Sequence, residues 1–208
     1  MKTIVCFGDS NTWGYDPTTR QRFPRDVRWA GVMRRALGEG YEVIEEGLNG
    51  RTTVWDDPIE GHKNGKEQII PCIESHKPID LVIIGLGVND LKKRFSVSPF
   101  DVAASAGKLV EIVQRSTTGP ADAAPEVLLL CPAKVGKLTE FAEMFEGAPE
   151  KSERLAGHFE RIAGELGVPW LDVGSVSMTS DLDGIHFESA AHRKIGEAVA
   201  AKAKEILG

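Results

Sequence analysis

Thr3-Ile4-Val5-Cys6-Phe7-Gly8-Asp9-Ser10-Asn11 is the stretch that decides the fold. Its first five residues form an almost continuously apolar run, short enough for a strand and too short for a helix. A strand apolar on both sides must be covered on both faces, which is the condition of a strand inside a parallel sheet. The turn at Gly8-Asp9 then hands the chain to small polar residues. A serine at that strand-to-helix turn has its hydroxyl and its backbone N–H near a helix N-terminus, where developing negative charge is favoured.

Working outward, the same alternation recurs. Further strands are expected over residues 41–46, 81–85, 127–131 and 170–173, beside the first at 3–7. The 41–46 run alternates more and reads as nearer an edge. Helices are expected between them. One is capped by Asp26 and runs to Leu37, with Val27, Val32, Met33, Ala36 and Leu37 inward and Gly38 as the stop. Others cover 67–76, then Pro99 to about Ser116 after a Ser98 cap, then 150–166 with Leu155, Phe159, Ile162 and Leu166 on one stripe. The last runs from a Ser189 N-cap to Leu207. Strands alternating with helices imply βαβ units, hence an α/β fold with a parallel sheet between two helical layers. All 208 residues read as one domain.

Composition narrows the function. A net charge of −6 argues against a nucleic-acid partner, and Arg34-Arg35 and Lys92-Lys93-Arg94 are short enough to be solvated faces. No stretch approaches the roughly 20 apolar residues that span a membrane, and the apolar start is too short for a signal peptide. A cytoplasmic location is therefore expected. Cys6, Cys72 and Cys131 are odd in number and widely spaced, which gives no disulfide framework. Without CxxC or HExxH, no metal is expected, and no motif asks for a cofactor.

In an open parallel sheet the site lies outside the carboxyl ends of the strands. Ser10 follows the first strand, Gly50 the second and Asn89 the third, while Asp183 and His186 follow the fifth. Of five histidines, His186 alone trails an aspartate by three residues in a glycine-containing loop. That spacing lets Asp183 accept from Nδ1–H and turns Nε2 toward a serine as general base. Asp181 is a competing carboxylate. Serine, histidine and carboxylate are the groups that acyl transfer by a serine nucleophile requires. The Asn89 amide and the Ser10 and Gly50 N–H groups suit an oxyanion. Taken singly, Ser10 also reads as a helix N-cap, Gly50 as a turn glycine and Asn89-Asp90 as a turn. Their joint placement at one sheet edge is what separates the readings. Trp13 and Trp55 are candidate pocket walls. Arg28 and Arg51 are expected to brace loops through Asp9, Asp56 or Asp57, and Asp90 to hold backbone.

The motifs then carry a resemblance. Gly8-Asp9-Ser10, Gly50, Gly87-Val88-Asn89-Asp90 and Asp183-Gly184-Ile185-His186 resemble the four blocks of the SGNH hydrolase (GDSL esterase/lipase) superfamily. CFGDSNTWGYDP, RWAGVM, VIEEGLNGRTT, DLVIIGLGVND and DGIHF resemble its bacterial arylesterase/acyltransferase-like branch, and the likeness runs from Thr3 to about Ile206. The resemblance implies a three-layer α/β/α sandwich on a five-stranded parallel sheet, flavodoxin-like in topology. It implies a serine esterase acting on short-chain aryl or alkyl esters through an acyl-enzyme, with acyl transfer to alcohols as a further activity. Ser10 would be the nucleophile, His186 the base and Asp183 its orienting acid, with Ser10, Gly50 and Asn89 as the oxyanion hole. Asp9, Asn11, Trp13, Asp90 and Ile185 would support the site or line its pocket. Asn11 departs from the family's usual leucine, and Pro132-Ala133-Lys134-Val135-Gly136-Lys137 is more polar than the Pro-rich segment expected there. A carbohydrate O-deacetylase with the same triad is the alternative. A binding module would be expected to have lost a triad member, and a nucleotide binder would want a phosphate loop, which Gly85-Leu86-Gly87 does not make. The branch also implies a homo-oligomer, with Trp55, Ile59, Phe141, Met144 and Phe145 as apolar residues for the interface.

Overall fold

A computed structural model describes residues 1–208. Five strands form one sheet: β1 (Lys2–Gly8), β2 (Tyr41–Gly47), β3 (Leu81–Gly85), β4 (Glu126–Cys131) and β5 (Trp170–Asp172). The order is β2-β1-β3-β4-β5, and every neighbouring pair is parallel. Period-two alternation sorts each central strand onto two cores. Val5, Phe7, Val82, Ile84, Val127 and Leu129 face one helical layer. Ile4, Cys6, Leu81, Ile83, Leu128 and Leu130 face the other. The first layer holds α3 (Gly65–His76), α4 (Pro99–Gln114) and α6 (Leu155–Leu166); the second holds α2 (Trp29–Leu37) and α8 (Ser189–Leu207). The chain is thus a three-layer α/β/α sandwich. Short helices complete it: α1 (Ser10–Trp13), α5 (Ala148–Ser152) and α7 (Val173–Val176).

Several boundaries differ from expectation. Asp26 does not cap α2; it is exposed, and its carboxylate pairs with Arg34 at 3.0 Å. Turns at Val27 and Arg28 delay the helix to Trp29, whose N–H is taken at 3.2 Å by Nδ1 of His192 on α8. The inward face is accordingly Trp29, Ala30, Val32, Met33 and Leu37, while Ala36 is exposed and Val27 only half-buried. The expected 150–166 helix is two helices. Ser152 accepts from the Val135 N–H and donates to the Pro149 carbonyl, which fixes α5 apart from the stripe of Leu155, Phe159 and Ile162. Glu188, not Ser189, opens α8; its own carboxylate is engaged by the Ser180 hydroxyl at 2.7 Å. β5 stops at Asp172, because that side chain takes the Gly174 N–H and starts α7.

Candidate active site

In a 2-1-3-4-5 sheet the strand order reverses between β1 and β3, and ligands bind in the crevice outside that point. Ser10 stands at the end of β1 and Asn89 at the end of β3. Asp9 is the N-cap of α1 and accepts from the Asn11 N–H at 2.9 Å, so Ser10 opens the helix with its N–H free of the intrahelical ladder. Two close approaches hold this turn. A side chain on Gly8 would meet Thr12 at 2.1 Å, and one on Gly47 would meet the Trp13 backbone at 2.1 Å.

His186 Nε2 lies 2.8 Å from Ser10 Oγ, and Nδ1 lies 2.7 Å from Asp183 Oδ2. The other Asp183 oxygen accepts from the N–H groups of Ile185 and His186 at 2.8 and 2.9 Å. Burial pushes this carboxyl up, but the hydrogen bond and charge of His186 and the two N–H donors outweigh it. The net shift is downward, so Asp183 is held ionised. Asp181, its rival, is exposed. The Tyr15 ring stacks on the imidazole with centroids 4.2 Å apart.

Ser10, Gly50, Asn89, Ile185 and His186 line one cavity of about 170 Å³. The Asn89 Nδ2 group is buried and has no hydrogen-bond partner. Gly50 has φ +80°, a left-handed conformation that favours glycine, and its N–H makes no bond within the protein. Two unpaired donors beside a serine hydroxyl are what a developing oxyanion requires. Behind them, Asp90 is fully buried and accepts from the Thr53 N–H and hydroxyl; burial raises it to about 7. Burial likewise raises Asp9 to about 6. Asn11 donates to the Ile185 carbonyl at 3.2 Å and does not line the cavity.

Other expectations fail here. Trp13 does not line the cavity; Arg22 lies over its ring at 5.2 Å. Trp55 packs on the core beside α4, away from the serine. Arg28 pairs with Glu45 at 3.1 Å, and Arg51 donates to the Gly8 and Glu46 carbonyls instead of an aspartate. Asp57 is braced instead by Arg94 at 2.8 Å and Lys92 at 3.6 Å. Lys92 is therefore no solvated residue: it is 3% exposed and hydrogen-bonded to Glu60. Tyr15, Asn49, Glu60 and Lys92 line the cavity without having been singled out. For Lys92 a signal existed, since it lies three residues after Asn89 in a 3₁₀ turn, where such residues eclipse. The polar 132–137 segment does not line this cavity; Phe141, Met144 and Phe145, further along the same connection, do.

A family model of the GDSL-like lipase/acylhydrolase family matches residues 6–194. No curated protein sequence matches the chain significantly. Among solved structures, the inhibitor-bound aryl esterase of M. smegmatis is 41% identical, with both chains fully covered and a TM-score of 0.96. Est24, a carbohydrate acetylesterase from Sinorhizobium meliloti, is 37% identical over 99% of this chain and 100% of its own, also with TM-score 0.96. A putative arylesterase from Agrobacterium tumefaciens is 36% identical over the whole of both chains, with TM-score 0.91.

Proposed function

The chain belongs to the GDSL-like lipase/acylhydrolase family and is a carboxylic-ester hydrolase, and from that premise we propose that Ser10, His186 and Asp183 carry out the reaction. The observation that supports this is the unbroken relay of 2.8 and 2.7 Å from serine hydroxyl to imidazole to carboxylate. His186 Nε2 takes the Ser10 proton as Oγ attacks the ester carbonyl carbon. Asp183 orients the imidazole and stabilises the imidazolium. The carbonyl oxygen, now an anion, accepts from the N–H groups of Ser10 and Gly50 and from Asn89 Nδ2. The intermediate collapses, the alcohol leaves with the proton from His186, and the acyl group stays on Ser10. Water then attacks under the same base, and the carboxylic acid departs. An alcohol in place of that water would give acyl transfer.

The cavity lining is mixed. Phe141, Met144, Phe145 and Ile185 supply apolar surface suited to a small acyl group. Asn49, Glu60 and Lys92 supply a polar wall suited to an alcohol rich in hydroxyls. That polar wall, with the likeness to an acetylesterase acting on carbohydrate, favours acetylated sugars as the second reading. The test is a panel of p-nitrophenyl esters and acetylated sugars, run with wild type and Ser10→Ala. Ser10→Ala should lower kcat about 10⁴-fold or more while the protein stays folded. A fluorophosphonate probe attached to any residue but Ser10 would overturn the assignment.

The reading extends to a single domain over 1–208 in the cytoplasm, consistent with three free cysteines. No helix is long and apolar enough to cross a membrane. A homo-oligomer is the assembly we propose, with Ile59 at the interface. Of the apolar residues expected there, Ile59 is 73% exposed, whereas Phe145 is buried and Trp55, Phe141 and Met144 pack on the core. Light scattering decides it: a monomer of 22.6 kDa at micromolar concentration would sink this part of the reading.

A further inference from the structure

We propose that Glu46, Cys72 and His76 form a site for a thiophilic divalent cation, of which Zn²⁺ is the best chemical match. Cys72 and His76 are four residues apart on α3, so they share one face of the helix. Glu46 comes from β2, the edge strand beneath that face. One ligand atom from each residue lies within 4.8 Å of the other two. Tetrahedral zinc with bonds of 2.0–2.3 Å needs its ligand atoms about 3.3–3.7 Å apart. The cluster therefore closes with side-chain adjustment alone. His76 Nε2 already faces Glu46 Oε1 at 2.8 Å.

The donor set selects the ion. A thiolate disfavours Mg²⁺ and Ca²⁺, which prefer oxygen, whereas sulfur, nitrogen and carboxylate together suit zinc. Three protein ligands leave a fourth position for water. His76 and Glu46 are 29% and 34% exposed at their side chains, which gives the ion a way in. Charge also balances. Cys72 releases its thiol proton to solvent. The His76 proton moves from Nε2 to Nδ1, freeing the Nε2 lone pair, and Glu46 binds as carboxylate. The bound site is then neutral. Cys72 is a free thiol and, unlike Cys6 and Cys131, is not fully buried. None of the three residues lines the cavity at Ser10, so the site is separate from ester cleavage.

The experiment uses the full-length protein, stripped with EDTA and exchanged into metal-free buffer. Co²⁺ should produce a thiolate-to-metal charge-transfer band and tetrahedral visible bands. Zn²⁺, titrated against a chromophoric chelator, should bind at one equivalent, release one proton per ion and protect one thiol from Ellman's reagent. Cys72→Ser and His76→Gln should each weaken binding about 100-fold or more, and Glu46→Gln about 10-fold or more, given that even outer-shell changes cost 10–100-fold. Ester turnover measured in chelator reports that each variant is folded, with Cys72→Ala as a second variant where Cys72→Ser is not. A Co²⁺ spectrum without the thiolate band would overturn the proposal. So would Zn²⁺ binding equally to wild type and Cys72→Ser. Neither outcome bears on the esterase reading.

Discussion

Asn89 carries an amide that the resting protein leaves buried and unpaired. Buried donors nearly always have partners, so this one is held ready for an acceptor that arrives with the reaction. Asn89→Ala should lower kcat about 10²–10³-fold and leave KM little changed, because the bond matters in the transition state. Its urea midpoint should hold or rise, since the variant removes an unsatisfied buried group. Unchanged kcat in a p-nitrophenyl acetate assay would remove Asn89 from the mechanism. His192 makes the opposite use of burial. It is fully buried, accepts from the Trp29 N–H, and is depressed to about 4 by burial and then by the charges of His186 and Arg28, against a lesser pull from Asp16. In the unfolded chain it takes up a proton near pH 6.5, in the folded chain only near pH 4. The unfolded state thus binds more protons in that window, and stability present above it is lost as pH falls, by on the order of 3 kcal/mol. Asp9 and Asp90 titrate high and act in the other direction, so the comparison must be with a variant. Urea unfolding of wild type and His192→Gln should show their stabilities converging from pH 7.5 to pH 4.5. A constant gap would show that His192 is not held neutral.

Elements were legible where local pattern decides them. The four inner and edge strands from β1 to β4 read to within a residue or two, because an apolar run between turn signals leaves few alternatives. α4 was legible for a local reason too: Ser98 and Asp101 cap it reciprocally and Pro99 opens it. α2 was not, because its first N–H is satisfied by a ring 163 residues away in sequence. The 150–166 break was hidden for the same kind of reason, since Ser152 is engaged by Val135 across the fold. The site followed this division. Ser10, Gly50 and Asn89 each lie in a short motif just past a strand, and Asp183 and His186 share one motif in the loop before α8. Lys92 had its spacing from Asn89 as a signal, but nothing in the sequence announces its partner Glu60, 32 residues away. Trp13 misled because its helix buries Thr12 instead. Where α1 crosses β2, Gly47 has no room for a side chain, and the clash would be with rigid Trp13 backbone. Gly47→Ala should therefore cost about 3 kcal/mol, the upper end for overpacking, and lower kcat by displacing the Ser10 turn. Urea unfolding that matches wild type would show that the crossing yields.

At the scale of the molecule, the cavity is closed on one side by residues 141–145, of which Phe145 is buried and Phe141 and Met144 are half-buried. A wall folded onto its own core does not swing away to admit a long acyl chain. Acetate and butyrate esters should turn over faster than octanoate, and the reverse order in a p-nitrophenyl series would show the wall is open. The assembled site draws on residues 10–15, 49–60, 89–92, 141–145 and 185–186, so its parts span nearly the whole chain. The nucleophile is made 176 residues before its base. α8, which follows the base, supplies the ring that caps α2. A nascent chain therefore carries its serine through the synthesis of those residues without the means to activate it. The esterase stays inert until His186 has been made and folded against Ser10.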